Sequence, residues 1–255
     1  MRFASLGSGS KGNALLVESV GARILIDCGF SIRETVRRLA RLSVLPDAID
    51  AVLVSHEHAD HASGVFGFCG RFGIPVYMTK GTSRGAIKWG EAPAALHLID
   101  SHLAFSINDL DITPFPIPHD ATEPVQVTVS DQRHCLGILT DSGKVTPHIA
   151  RVLGGCDALV LECNHDVEML ARSDYPPQLK RRISGEFGHL SNDQAAAFLA
   201  SSGTARLQHV VAAHLSEQNN RPELALGALA AVFDGGAARL STAHQKEGFP
   251  WRDLD

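Results

Sequence analysis

The sequence predicts an α+β fold, an αββα four-layer sandwich in which two mixed β-sheets are flanked by helices. The first observation is that each half of the chain consists mostly of short β-strands followed by helices, so the two halves look alike. The second is composition: apolar residues make up 44% of 255 residues and charged residues 20%, which is typical of a globular protein with a large core. Each sheet needs both faces covered, and two packed sheets with outer helices satisfy this. We expect residues 1–255 to form a single domain.

The first half of the chain is predicted to alternate strands with three helices. Strands are predicted at 3–6, 14–18, 22–27, 51–54 and 76–78. A helix begins after Ser31, which forms a capping box with Glu34. Its apolar residues Ile32, Val36 and Leu39 are expected to face the core and its arginines to form the outer face. Two more helices are predicted at 62–71 and 82–89.

The second half is predicted to begin with β-structure and to end with helices. Residues 96–118 and 125–140 look like β-structure, with apolar residues alternating at Val125, Val127 and Val129. Buried strands are predicted at 158–163 and 210–213, and helices at 147–153, after the capping pair Ser191 and Gln194, and from Pro222 to 233. Residues 174–184 are expected to form a loop.

The most informative motif is a histidine cluster that follows the predicted strand at 51–54. The segment His56-Glu57-His58-Ala59-Asp60-His61 places three imidazoles and two carboxylates within six residues. A strand end delivers side chains to the rim of a sheet, where an imidazole can bind a divalent cation through one nitrogen while a neighbour holds the other. A solvated His-rich turn is the alternative, but four ligand-type residues at fixed spacing rarely serve packing. The cluster therefore predicts a metal site.

Three later residues repeat this arrangement, in which an apolar run ends in a metal-ligand side chain. They are His119, Asp141 and His214. Any one of them alone would more often be a turn or cap residue. With the cluster they complete a set of seven potential ligands: His56, His58, Asp60, His61, His119, Asp141 and His214. Seven ligands suffice for two divalent cations that share one carboxylate, and the lack of cysteine among them favours Zn²⁺ or Mn²⁺.

Charge and cysteine content limit the function and the compartment. The formal net charge of −5 argues against a broadly basic surface that coats nucleic acid. It does not exclude a nuclease, because bound metal ions dominate the local field. The five cysteines form no Cys-x-x-Cys pair, which favours reduced thiols in a cytoplasmic protein. No segment has the apolar length of a membrane span, and the N-terminal apolar stretch is too short for a signal peptide.

The ordered motifs resemble those of the metallo-β-lactamase superfamily. Beside the histidine cluster, His119, Asp141 and His214, the resemblance includes Asp27 in Ile26-Asp27-Cys28-Gly29. It implies that His56, His58 and His119 bind one metal, that Asp60, His61 and His214 bind the other, and that Asp141 bridges the two. It also implies that Asp27 supports the site through hydrogen bonds and is not a ligand. From the residues alone, Asp27 could also be a turn carboxylate before Gly29.

Two further segments resemble the phosphodiesterase branch of that superfamily, which includes the ribonuclease Z enzymes. They are Glu162 and the segment Gly188-His189-Leu190-Ser191-Asn192. The resemblance implies that a metal-bridged hydroxide attacks phosphorus, that Asp60 orients it, and that His189, held by Glu162, protonates the leaving oxygen. From the residues alone, His189 could be a loop histidine and Glu162 a charged strand-end residue.

A narrower resemblance is to the YycJ/WalJ-type proteins. It is carried by the segments 7–13, 164–166, 188–192 and 214–220. It implies a cytoplasmic 5′-to-3′ exonuclease that acts on DNA. Substrate contacts are predicted at Ser8, Ser10, Lys11, His165 and Ser191. The Gly/Ser loop at 7–13 could also be a plain turn, His165 could simply fill the rim, and the basic run at 180–182 could meet phosphates or be a solvated face.

Two other functions are compatible with the same motifs. The first is a small-molecule hydrolase on this scaffold, with a thioester, a lactone or a small phosphodiester as substrate. The second is a metal-dependent regulatory or binding protein without catalytic activity. The sequence leaves open the native metal, the preference for DNA or RNA, the site of cleavage and the oligomeric state.

Overall fold

A computed structural model describes residues 1–202, 205–235 and 239–255. These residues form two seven-stranded sheets. The first sheet contains, from edge to edge, β14 (Phe249–Asp253), β1 (Arg2–Gly7), β2 (Ala14–Glu18), β3 (Arg23–Ile26), β4 (Ala51–Leu53), β5 (Val76–Thr79) and β6 (Leu96–Ile99). The second contains β13 (Leu240–Thr242), β12 (His209–Ala213), β11 (Ala158–Glu162), β10 (Cys135–Leu139), β9 (Val125–Ser130), β8 (Leu110–Pro116) and β7 (Phe105–Ile107).

The helices connect and flank these strands. They are α1 (Ile32–Arg41), α2 (Ala59–Ala62), α3 (Val65–Phe72), α4 (Lys80–Ala86), α5 (Pro147–Leu153), α6 (Val167–Arg172), α7 (Pro177–Ile183), α8 (Asn192–Ser202) and α9 (Pro222–Ala230). Short 3₁₀ turns occur at Pro46–Ala48 and Ile87–Trp89. In the described part of the chain, every helix is too short or too polar to cross a membrane.

Both sheets are mixed, and they share one core. In the first sheet, β1, β2 and β3 pair antiparallel and β3 to β6 pair parallel. In the second, β7 to β10 pair antiparallel and β10 to β13 pair parallel. Leu53 and Val160 belong to the cluster between the sheets. Separate apolar clusters join each outer face to its helices, through Leu39 of α1 on one side and Phe198 of α8 on the other. The predicted four-layer sandwich is confirmed.

The parallel strands bring the functional motifs to the same end of the sheets. In the first sheet, Ile26 of β3 aligns with Leu53 of β4. In the second, Leu139 of β10 aligns with Leu161 of β11, and Glu162 with Ala213 of β12. The residues that follow these strands therefore meet at the carboxyl edges, where open α/β sheets generally place their ligands.

Some predicted element boundaries were wrong. The predicted helix at 62–71 corresponds to α3, which begins only at Val65, and the short helix α2 before it was not predicted. Gly64, between the two helices, passes close to Phe30, where a Cβ would lie 1.8 Å from the Phe30 carbonyl oxygen. The predicted loop at 174–184 contains α7, which begins at Pro177, a favourable first position. The helix from Pro222 ends at Ala230 and not at 233. Helix α6 and strands β13 and β14 were not predicted.

The arginines of α1 do not all form an outer face, as the sequence had suggested. Arg38 is 7% exposed, and its guanidinium donates hydrogen bonds to the Leu6 and Gln245 carbonyl oxygens at 2.7 and 3.0 Å. It also pairs with Glu34 and lies over the Phe30 ring. A guanidinium can be buried when its donors are paired in this way. Ile32, by contrast, is 37% exposed.

Candidate metal centre

Three residues at the carboxyl edges adopt the left-handed backbone conformation. The φ angles are 62° at Asp27, 59° at Asp141 and 54° at His214. Each residue lies one or two positions after a strand, so the left-handed conformation changes the direction of the backbone at the sheet edge. Left-handed backbone is uncommon outside glycine and costs about 1–3 kcal/mol per residue. Such strain persists where surrounding contacts enforce it, and it is typical of functional sites.

A first group of donors consists of three histidines. His56, His58 and His119 each offer a ring nitrogen, and these nitrogens lie within 4.8 Å of one another. His119 Nδ1 donates to the Gly188 carbonyl oxygen at 3.3 Å, so its Nε2 is free to accept, 3.2 Å from His58 Nδ1. His56 Nδ1 lies 3.0 Å from the Ser55 hydroxyl, which leaves Nε2 for the site.

A second group combines two histidines with two carboxylates. Asp60, His61, Asp141 and His214 have ligand atoms within 4.8 Å of one another. His61 Nε2 lies 3.4 Å from Asp60 Oδ2 and 3.2 Å from Asp141 Oδ2. His214 Nε2 lies 3.4 Å from the same Asp60 atom and 3.5 Å from Asp141 Oδ1. The residues predicted as ligands of the second metal therefore meet in space.

Two buried carboxylates orient the rings of the second group. Asp27 accepts a hydrogen bond from His61 Nδ1 at 2.7 Å and two more from the Ser55 backbone and hydroxyl. Glu162 accepts one from His214 Nδ1 at 3.1 Å. A ring that donates from Nδ1 presents the lone pair of Nε2 to the site, which is the common arrangement behind metal-binding histidines. Asp27 thus contacts a predicted metal ligand through a hydrogen bond.

The donors fit a divalent cation. Within the described residues, His56 Nε2 and Asp141 Oδ2 are buried and have no hydrogen-bond partner. Burial lowers the pKa of His56 well below its ordinary value, so the ring is neutral and able to bind a metal. A buried ring nitrogen and a buried carboxylate oxygen without partners would each be costly, and a bound cation would satisfy both. A donor set of imidazoles and carboxylates without thiolates suits Zn²⁺ or Mn²⁺.

The carboxylates make this edge strongly negative. Burial opposes protonation of His214, but Asp141, Asp60 and Glu162 outweigh it and raise the pKa of His214 to about 10. Burial opposes protonation of His61 in the same way, but Asp141, Asp60 and Asp27 outweigh it, so the pKa of His61 lies well above its ordinary value. A site that draws protons onto its histidines attracts cations for the same electrostatic reason.

His189 lies between the two groups of donors. Its ring centroid is 5.4 Å from that of His119 and 5.3 Å from that of His214. Its Nδ1 donates to Glu162 Oε1 at 2.9 Å, and its side chain is 21% exposed. Nε2 of His189 makes no hydrogen bond within the described residues. Burial opposes protonation of His189, but Glu162 and Asp141 overcome it and raise the pKa.

The residues predicted to contact substrate divide into two kinds. Ser10 and Lys11 are exposed, and Lys11 pairs with Glu217 at 2.5 Å. Ser8, His165 and Ser191 are buried. The Ser8 hydroxyl accepts from the His214 backbone N–H at 2.9 Å, and the Ser191 hydroxyl caps α8 by accepting from the Gln194 N–H. The hydroxyls of Ser8 and Ser191 therefore each accept a hydrogen bond from the backbone of the chain.

Two residues of the site were missed by the sequence analysis. Asn13 Nδ2 lies 3.0 Å from His61 Nε2 and 3.3 Å from Asp60 Oδ2. Asp120 Oδ1 lies 3.6 Å from His119 Nε2, and its other oxygen accepts from Arg182. Only their positions in the sequence could have indicated these two residues. Asn13 ends the Gly/Ser loop, and Asp120 directly follows a predicted ligand.

Comparisons with known proteins agree with this geometry. Residues 22–214 match the family model described as "Beta-lactamase superfamily domain". The exodeoxyribonuclease YycJ of Bacillus anthracis is 34% identical over 245 residues, which cover 92% of this chain and 89% of that protein. The exodeoxyribonuclease WalJ of Streptococcus pneumoniae is 31% identical over 228 residues, covering 88% and 85%. The metallo-β-lactamase-fold protein YhfI of Bacillus subtilis superposes with a TM-score of 0.76 at 17% identity, covering 98% of each chain.

Proposed function

The chain belongs to the β-lactamase superfamily, and from this premise we propose that it is a dinuclear-metal-dependent phosphodiesterase that degrades DNA as a 5′-to-3′ exonuclease. The observation that carries the proposal is His189, an imidazole held by the buried Glu162 between the two groups of metal donors. Hydrolysis of a nucleic-acid phosphodiester expels a poor leaving group. The reaction therefore needs an acid beside the cations that can protonate the leaving oxygen.

The metal-binding assignment follows the two groups. His56, His58 and His119 would hold one cation and Asp60, His61 and His214 the other, with Asp141 between them. When bound, Zn²⁺ or Mn²⁺ ions polarise a phosphoryl oxygen and lower the pKa of a water molecule. Asp27 and Glu162 hold the rings of His61 and His214 in the orientation that binding requires.

The remaining steps fall to side chains of the chain itself. Asp60, with 21% of its side chain exposed against 2% for Asp141, is the carboxylate that reaches the attacking water and orients it. Nε2 of His189 donates a hydrogen bond to the phosphate. It then transfers its proton to the leaving oxygen. Glu162 fixes the His189 ring through Nδ1 and stabilises its protonated form.

The choice of DNA as substrate rests on relatives that span nearly the whole chain. Both the YycJ and WalJ relatives are described as exodeoxyribonucleases. The exposed Ser10 and Lys11, together with His165, remain candidates for contact with that substrate.

The five cysteines are free thiols, which is consistent with a cytoplasmic enzyme.

One nuclease assay tests the proposal. Single- and double-stranded DNA and RNA, labelled at either end, would be incubated with Mn²⁺, Zn²⁺ or Mg²⁺. We expect stepwise release of nucleotides from the 5′ end of DNA. The Asp141→Asn variant, purified in parallel, excludes a contaminating nuclease if it is inactive. Failure of the unaltered protein to cleave any of these nucleic acids with any of the metals would contradict the proposal.

A cavity beside the site favours a second candidate, a small-molecule hydrolase. The cavity has a volume of about 480 Å³ and is bordered by Ser8, whose hydroxyl contacts the His214 backbone, and by Leu215 and His244. This volume is in the range that holds small ligands. Turnover of a thioester, a lactone or a small phosphodiester without cleavage of labelled DNA would favour this candidate.

A further inference from the structure

Phe187 differs from the other aromatic residues of the chain in its exposure. Its exposed fraction is 59%, whereas all other phenylalanine, tyrosine and tryptophan side chains in the described ranges are buried or half-buried. Single exposed apolar residues are common on protein surfaces and need no explanation by themselves. The position of Phe187 is what gives it significance, because it lies two residues before His189.

The backbone around Phe187 is fixed against the metal centre on two sides. On one side, the Gly188 carbonyl oxygen accepts from His119 Nδ1 at 3.3 Å. On the other, Gly143 approaches so closely that a Cβ there would lie 2.6 Å from the Phe187 backbone nitrogen. The His189 N–H donates to the Ile183 carbonyl oxygen at 2.8 Å and closes the turn. The exposed ring is therefore carried by a rigid segment at the rim of the site.

Basic residues precede this aromatic residue in the chain. The last turn of α7 carries Lys180, Arg181 and Arg182, a few residues before Phe187. Arg182 pairs with Asp120, which places its guanidinium beside the His58 and His119 group. Arg181 is exposed and forms no ion pair with any described residue. The segment 180–187 thus carries both basic side chains and an exposed aromatic ring, the two features by which proteins bind the phosphates and the bases of a single strand.

We propose that Phe187 is a stacking platform for one base of the nucleic-acid strand, next to the phosphate that is cleaved. This inference rests on the proposed function, since it needs a nucleic-acid substrate. Every base has a π-face, so stacking on a phenyl ring gives affinity without sequence preference. Such a contact suits an exonuclease that must accept each successive nucleotide.

The first test compares variants of Phe187 on a single-stranded DNA substrate. Loss of one stacked base typically weakens binding about 5- to 150-fold. We therefore expect Phe187→Ala to raise KM by that factor with little change in kcat, and Phe187→Trp to keep a KM near that of the unaltered protein. Phe187→Leu retains apolar bulk without the aromatic face and should resemble Phe187→Ala. Unchanged KM in Phe187→Ala would overturn the inference, as would equal KM values for the Leu and Trp variants.

The second test locates the base by removing bases one at a time from the substrate. In the unaltered protein, an abasic residue at one position next to the cleaved phosphate should raise KM as much as Phe187→Ala does. In Phe187→Ala, the same abasic substitution should have no further effect. A KM or kcat defect of Phe187→Ala that is equally large on a substrate without bases would overturn the inference, because it would indicate a disturbed His189 turn.

A matched control separates this contact from general loss of apolar surface. Val20 is fully exposed and lies in the turn between β2 and β3, at the opposite end of these strands from Asn13 and Asp27. Val20→Ala should leave KM unchanged. If the unaltered protein cleaves DNA but Phe187→Ala behaves like Val20→Ala, the inference alone is wrong. If the unaltered protein cleaves no nucleic acid, the proposed function fails and the inference fails with it.

Discussion

Glu162 Oε1 lies 2.9 Å from His189 Nδ1, and the carboxylate that makes this contact is completely buried. The same oxygen accepts from His214 Nδ1 at 3.1 Å, while Oε2 accepts from the Ser142 and Leu190 backbone N–H groups. One carboxylate therefore connects the imidazole that we propose as the acid with a histidine that we propose as a metal ligand. Ser142 and His214 follow β10 and β12, the parallel strands on either side of β11, whereas His189 and Leu190 lie between α7 and α8.

We predict that His189→Ala slows DNA cleavage about 10²- to 10⁴-fold, the usual contribution of a positioned acid. Metal content should be unchanged, because His189 belongs to neither of the two ligand groups that we assign. Steady-state kcat and metal analysis of the same preparation would measure both quantities. His97→Ala, which alters an exposed histidine stacked on Tyr77, is the control. Full activity of His189→Ala would remove the main support for the phosphodiesterase assignment.

Glu162→Gln should impair two properties at once. The variant loses the negative charge that holds both rings, so kcat should fall and metal affinity should drop by about 10- to 100-fold, as is typical when the partner of a ligand is altered. Competition with a chelator would measure the affinity. Adding His189→Ala to Glu162→Gln should lower kcat by less than the product of the single effects, since the residues act together. Independent, multiplicative effects would argue against this coupling.

The sequence predicted the strand-end residues of the site and missed Asn13, whose position depends on folding across a loop. His119, Asp141 and His214 were recognisable because each follows an apolar run that forms a strand. Asn13 approaches His61 only because the Gly/Ser loop folds over a segment 48 positions away. Likewise, Arg38 is buried through a carbonyl of Gln245, 207 positions away. Local periodicity contains no information about such distant partners.

The strands that were missed illustrate the same limit. β13 and β14 lack a clear apolar alternation, and the residues of β13 are half-buried. β14 exists because it pairs with β1 at the start of the chain, with Arg2 opposite Asp253. The prediction of two mixed sheets succeeded because the longer strands have strong apolar runs. The edge strand β14 depends on pairing between the two ends of the chain.

Removal of the metals should abolish activity and lower thermal stability. A ligand present at 100 times its Kd stabilises the folded state by about 2.7 kcal/mol, so chelation should lower the melting temperature and added Zn²⁺ or Mn²⁺ should restore it. Asp141→Asn replaces the carboxylate that we place between the cations. In this variant the melting temperature should no longer respond to metal, and turnover should be lost. Differential scanning calorimetry with and without chelator measures the shift. Undiminished activity in protein shown to be free of metal would contradict the assignment.

Two glycines provide a matched pair for testing how the fold positions the donors. A Cβ on Gly29 would lie 1.8 Å from the Asp60 backbone oxygen, so Gly29→Ala must displace α2, which carries Asp60 and His61. We expect overpacking to cost about 1–3 kcal/mol of unfolding free energy and metal affinity to fall. A Cβ on Gly70, inside α3, would meet no described atom within 4 Å, so Gly70→Ala should stabilise the fold by about 0.5–1 kcal/mol and leave metal binding unchanged. Denaturant unfolding and metal titration measure both effects. If Gly29→Ala bound metal as tightly as Gly70→Ala, the contact between Gly29 and Asp60 would not be what holds α2 in place.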